Sequence, residues 1–123
     1  METVKQYVWK RSGILRTQAI EFAGYKCEID STHQTFISEA GQKPYMEGHH
    51  ALPMNMQKQY DVSLDVYANI VCMCPICHRR IHYGVKQDRI DMAKKIYEAR
   101  NLRLENCGIK MDETEFVEVA AGI

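Results

Sequence analysis

Hydrophobic and polar positions change their spacing several times along this chain, and each change marks an expected element. Within residues 1–26, Ile14, Leu15, Gln18, Ala19 and Phe22 recur at helical spacing, so this segment reads as a helix with Gly24 as its natural stop. Residues 27–33 are short and polar, and Gly41-Gln42-Lys43-Pro44 is a turn. Tyr45–His50 reads as a short strand ended by Pro53, and Asn69–Met73 as a second strand. Residues 54–68 between them keep no period and read as a loop. Pro75–Tyr83 is predicted to be a helix, with Pro75 in its first turn and Gly84 after its end. The clearest helix follows. Asp88 is its expected N-cap, and Ile90, Met92, Ala93, Ile96, Tyr97, Ala99 and Leu104 mark its buried side. Gly108 followed by Ile109 predicts a glycine C-cap with a hydrophobic contact. In the acidic tail, Phe116, Val117 and Val119 suggest an edge strand or a docking segment.

A chain of 123 residues is one domain's worth. The expected division is an N-terminal helical segment (1–26), a core (27–84), and a C-terminal helix with its tail (85–123) belonging to the same domain. Such a chain buries a small core, which a structural metal would reinforce. No apolar run approaches the length that spans a bilayer, so no membrane partner is expected. The N-terminus shows no secretory hydrophobic region, and the expected compartment is the cytoplasm. There thiols stay reduced, which turns Cys-x-x-Cys toward metal and away from disulfide.

The formal net charge is zero, but its distribution is uneven. Residues 27–77 carry two bases against six acids, and residues 78–110 carry nine bases against four acids. A basic face beside the histidine-rich region would suit a polyanion, with Arg79, Arg80 and the bases of 86–110 meeting phosphate. The same bases could equally do no more than solvate one helix.

Cys74-Pro-Ile-Cys77 opens a helix, a spacing that lets two thiolates share one tetrahedral Zn²⁺. Cys27 is the natural third ligand. Asp30 holds the place that would complete a second Cys-x-x-Cys, but His33 is the better fourth ligand, since imidazole is the commoner structural donor. Cys72 is out of phase with the pair and reads as a buried strand residue. Cys107 reads as an ordinary buried or half-buried thiol.

The histidines suggest catalysis. His78 and His82 are four apart and share one helix face, whereas His49 and His50 are adjacent and point to opposite sides of a strand. His49, His78 and His82 could therefore hold a divalent ion (Mg²⁺, Mn²⁺, Ni²⁺ or Zn²⁺), leaving positions open for water and phosphate, while His50 acts as a base. Asn69, at the start of the opposing strand, could fix the base-bearing loop through its amide.

The run Tyr45-Met-Glu-Gly-His49-His50-Ala-Leu-Pro53, then Asn69-Ile-Val, then Cys74-Pro-Ile-Cys77-His78-Arg-Arg-Ile-His82, resembles the HNH endonucleases. It is most similar to members that carry a zinc knuckle around the catalytic hairpin and helix, as in bacterial restriction and phage-defence nucleases. The resemblance covers roughly residues 25–84. It implies an α+β fold with a small ββα-metal core, a zinc knuckle and flanking helices, and a metal-dependent nuclease that cuts DNA. By the same match His50 corresponds to the general base, His49 and His82 to metal ligands, His78 to a third ligand, and Asn69 to the motif's asparagine. The chain departs from the family at Asp30, where a second knuckle cysteine is usual. Some relatives also place Asp or Glu before a single histidine. Two other functions compete with the enzyme: a zinc-knuckle nucleic-acid-binding module, and a nuclease subunit active only in a larger complex. Control of cutting would then come from a regulatory protein, an attached domain or a second copy of the chain.

Overall fold

The computed structural model describes residues 13–123; residues 1–12 of the expected N-terminal helical segment lie outside the described residues. In chain order the elements are α1 (Gly13–Phe22), β1 (Glu47–His50), β2 (Ile70–Met73), α2 (Pro75–Tyr83), α3 (Lys86–Asn106) and α4 (Glu113–Ala120). Short 3-10 turns at Met54–Gln59 and Tyr67–Asn69 lie within and at the end of the stretch expected to be a plain loop. β1 and β2 pair antiparallel, with Glu47 opposite Met73, Gly48 opposite Cys72, His49 opposite Val71 and His50 opposite Ile70. α2 follows β2 after a single residue, and the fold is α+β around this small ββα-metal unit.

The two strands form for different reasons. Ile-Val-Cys-Met of β2 is buried at every position, so it needs no polar alternation. Glu-Gly-His-His of β1 has little intrinsic strand preference and is held by pairing with β2. Gly48 lets α1 lie close across this strand: a Cβ there would stand 3.3 Å from the Cβ and Cγ of Arg16. Of the face expected on α1, Ala19 is buried, but Ile14 and Phe22 are 70% and 72% exposed. The close pass over Gly48 turns a narrower strip inward than the apolar spacing suggested.

α3 begins at Lys86, two residues before the expected cap; Val85 precedes it without a side-chain cap, and Asp88 sits in the first turn. There its charge still complements the helix dipole. Its buried stripe runs Met92, Ala93, Ile96, Arg100 and Leu104. Ala99, expected inside, is exposed, because Arg100 takes the inward position one turn after Ile96. Arg100 is buried by neutralisation. Its guanidinium meets both oxygens of Glu28 at 2.6 and 2.8 Å and donates to the carbonyls of Tyr67 and Ala68 at 2.7 and 3.0 Å. Glu28 in turn accepts from the Cys72 N–H at 2.6 Å and donates its own N–H to the Cys72 carbonyl at 2.9 Å. One ion pair thus joins the 27–33 loop, the free edge of β2 and α3.

The C-cap of α3 matches its sequence signal. Gly108 has φ +85°, its N–H bonds Glu105 O, and the Ile109 N–H bonds Leu104 O, both at 2.9 Å. Cys107 is exposed, not buried, because the cap turns it outward. The tail is a helix where an edge strand or docking segment was expected. Asp112 caps α4 by accepting from the Glu115 N–H at 2.8 Å, and Phe116, Val117 and Ala120 are buried in the core it shares with α3. The period of two between Val117 and Val119 was misleading; the spacing from Phe116 to Ala120 governs. No helix among the described residues is long and apolar enough to cross a membrane.

Candidate metal centres

Cys27, His33, Cys74 and Cys77 each offer one ligand atom, and the four atoms lie within 4.8 Å of one another. Cys74 is the N-cap of α2, and its sulfur accepts from the Cys77 N–H at 3.4 Å. Cys27 follows the left-handed turn at Gly24 and Tyr25 that ends α1. His33 Nδ1 stands 3.3 Å from Cys77 Sγ and 3.6 Å from Cys74 Sγ. In a tetrahedral zinc site, with Zn–S near 2.3 Å and Zn–N near 2.0 Å, nitrogen and sulfur ligands are about 3.5 Å apart. The donor set and its spacing therefore fit zinc.

Asp30 lies behind the imidazole. It accepts from the Thr32 N–H at 2.9 Å and hydroxyl at 2.6 Å, and its other oxygen is 3.6 Å from His33 Nε2. Burial raises the Cys27 thiol, but the N–H groups of Cys74, Asp30 and Ile29, with His33, outweigh it and bring the pKa down to about 7. A thiol so tuned is ready to bind as thiolate. Cys72, by contrast, is pushed up to about 12 by burial and the charge of Glu28, and is not part of the cluster.

A second cluster joins His49 of β1 to His78 and His82 of α2, with ligand atoms again within 4.8 Å. The three ring centroids are 5.0–5.1 Å apart in every pair. His49 Nε2 is buried and has no hydrogen-bond partner among the described residues. An orphaned imidazole nitrogen beside two further imidazoles fits a cation with nitrogen ligands. Burial, then the fields of His78 and His82, takes the His49 pKa down to about 3, so the ring is neutral as a ligand must be. His82 is lowered as well, by desolvation and then by His78 and Arg79.

Glu47 lies behind His78: its Oε1 is 2.6 Å from His78 Nδ1, and its Oε2 accepts from the Tyr45 hydroxyl at 2.9 Å. Partial burial works against the Glu47 charge, but these two hydrogen bonds prevail and hold its pKa below the usual value. Carboxylates in this position commonly fix the orientation of a ligating imidazole.

His50 points away from the cluster. Its Nε2 is 2.8 Å from Oδ1 of Asp65, a side chain only 2% exposed. An ionised carboxylate only accepts, so Nε2 carries the proton and Nδ1 is the basic nitrogen. Asp65 escaped the sequence reading. It lies in the aperiodic stretch, and nothing local distinguishes it from a solvated loop acid. Asn69 is fully buried and bonds the backbone of Leu52, two residues after His50, and of Leu64, immediately before Asp65.

An open cleft of about 500 Å³ adjoins these rings. All four histidines line it, with Arg16 from α1 and Arg89 from α3. Arg79 lines a neighbouring hollow that also touches His78 and His82, and Arg80 is exposed on α2. The bases of α3 are not placed alike: Lys86, Lys94 and Arg103 are exposed, whereas three others make internal contacts. Arg100 is buried, Lys95 donates to Ile29 O at 3.0 Å, and Arg89 donates to the carbonyls of Gly84 and Ala121.

No family model matches the chain. It is similar to the type IV methyl-directed restriction enzyme EcoKMcrA of Escherichia coli (strain K12), with 30% identity over 79 residues. The match covers 64% of this chain, and the chain spans about a quarter (26%) of that enzyme's length.

Proposed function

We propose that this chain is a metal-dependent HNH-type endonuclease that hydrolyses DNA phosphodiester bonds, with its nuclease core at 27–84 and the flanking segments 1–26 and 85–123 in the same domain. The observation that carries the proposal is the convergence of His49, His78 and His82, with the buried Nε2 of His49 unpartnered among the described residues and the next residue, His50, anchored by a buried carboxylate. The similarity to a restriction enzyme supports the same chemistry.

His49, His78 and His82 would hold the divalent ion (Mg²⁺, Mn²⁺, Ni²⁺ or Zn²⁺). Bound there, it would supply Lewis-acid stabilisation of charge developing on phosphoryl oxygens. His50 takes the proton of the attacking water on Nδ1, since Nε2–H is committed to Asp65. Asp65 fixes that tautomer and stabilises the imidazolium as it forms. Asn69 spaces the two backbone strips that carry this pair. Arg79 and Arg80 meet phosphates beside the site. Zinc on Cys27, His33, Cys74 and Cys77 would pin the start of α2 and with it the direction of His78 and His82. A nucleic-acid-binding module alone has no use for a buried His–Asp pair. The biological role is restriction or antiviral defence in the cytoplasm, with cutting governed by a regulatory protein, an attached domain or a second copy.

The test is incubation of the zinc-loaded protein with supercoiled plasmid, methylated or not, adding each candidate metal in turn. Nicked or linear product is expected with at least one. His50→Ala should keep fold, zinc and DNA binding while losing about 10²–10⁴-fold in rate, the usual contribution of a general base. Folded, zinc-loaded protein that cuts with none of these metals, or a His50→Ala variant that cuts as fast as the parent, would overturn the proposal.

A further inference from the structure

Among the described residues the cleft beside the three histidines has no carboxylate in its lining, yet it carries two guanidinium groups from outside the strand–strand–helix unit. Arg16 stands where α1 crosses Gly48, and it lines both this cleft and the neighbouring hollow that holds Arg79. Among the described residues Arg16 forms no ion pair, so its charge is not cancelled there. Arg89 is held differently. Its Nε donates to Gly84 O at 3.0 Å and its Nη1 to Ala121 O, at the ends of α2 and α4. Both partners are backbone carbonyls, which fix the guanidinium without neutralising it.

On the nuclease reading above, we propose that Arg16 and Arg89 form a phosphate clamp, each binding a backbone phosphate of the DNA strand that enters the histidine cleft. A guanidinium meets phosphate oxygens with paired N–H donors. Arg89, already immobilised by two carbonyls, loses little freedom on binding. Arg16 brings an uncancelled charge to the ridge shared by both hollows. The clamp is distinct from Arg79 and Arg80, which lie on α2 itself: it recruits α1 and α3 to a site whose four histidines come from β1 and α2.

The experiment measures binding of the full chain to a labelled DNA duplex over a range of salt concentrations, without added divalent metal so that no cutting intervenes. Arg16→Gln should weaken binding by about 10- to 100-fold, as for loss of a hydrogen bond to a charged group. It should also flatten the slope of log affinity against log salt by about 0.9, the value for one phosphate contact. Arg16→Lys should keep the slope and lose only part of the affinity. Lys110→Gln, an exposed charge outside the cleft, sets the effect of net charge alone. Arg89→Lys should behave like Arg16→Lys, and its thermal midpoint is read alongside because its carbonyl contacts also hold α4. Among the described residues the Arg16 side chain makes no hydrogen bond that its replacement would break, so the Arg16 variants stand on their own. If the parent binds and cuts DNA but Arg16→Gln is no weaker than Lys110→Gln, the clamp is wrong and the nuclease reading survives. A parent that neither binds nor cuts DNA removes both.

Discussion

Asn69→Asp probes the brace between His50 and Asp65 with a substitution of nearly unchanged shape. The Asn69 side chain accepts from the Leu52 N–H at 2.8 Å and donates to Leu52 O and Leu64 O at 3.0 and 2.8 Å. A carboxylate keeps the first bond and turns an oxygen toward both carbonyls. Each buried acceptor left without its donor costs about 1–3 kcal/mol, hence about 2–6 kcal/mol for the two. Burial should also lift the new carboxyl from its usual pKa of about 3.9 to about 7–9. In that interval the folded variant binds more protons than the unfolded chain. Its stability relative to the parent must therefore fall as pH rises, by up to about 1.4 kcal/mol per pH unit, and recover as pH falls. The assay is urea unfolding of variant and parent from pH 5.5 to 8.5 in zinc-containing buffer. Protonation of the zinc ligands is common to both proteins and cancels in the difference. Since small domains have only about 5–15 kcal/mol in total, the variant should be marginal at pH 8.5 and clearly folded at pH 5.5. A deficit below about 1 kcal/mol at pH 8.5 would show that the three bonds do not brace the site. A deficit that does not vary with pH would show the same.

Cys77→Ala should abolish stoichiometric zinc and unfold the chain, because structural zinc supplies on the order of 10 kcal/mol in small modules; metal analysis and circular dichroism check it, and a stable, zinc-free variant would remove the site. His82→Ala should weaken the second metal centre so that excess metal restores part of the cutting rate, whereas an unchanged metal titration would exclude His82 as a ligand. Gly84→Ala should cost about 1–3 kcal/mol by overpacking, since a Cβ there would lie 2.6 Å from the backbone carbonyl of Arg80. Thermal unfolding measures it, and a neutral effect would mean that the end of α2 relaxes freely.

Adjacent residues decided what could be read from the sequence. Pro75 and Gly84 delimit α2, Gly108 and Ile109 close α3, and the four apolar residues of β2 form a strand, because caps, turns and burial runs act between near neighbours. His78 and His82 share a face for the same reason: their relation is fixed by 3.6 residues per turn. Choices between distant segments were not legible. His50 meets Asp65 across fifteen residues of aperiodic chain, whereas His33, preferred to Asp30 on donor chemistry alone, does join the thiol cluster. Arg100 reads as a surface base until Glu28, 72 residues away, neutralises it in the core. Arg16 reaches the histidine cleft only because α1 packs across a strand glycine. The sequence by itself determined α1, α2, α3, both strands and the inventory of ligands; tertiary packing decided that the tail is helical, which acid holds which base, and which charges remain free. Secondary structure follows from local torsional and capping energies, whereas electrostatic partnership depends on distances that exist only once the chain has closed.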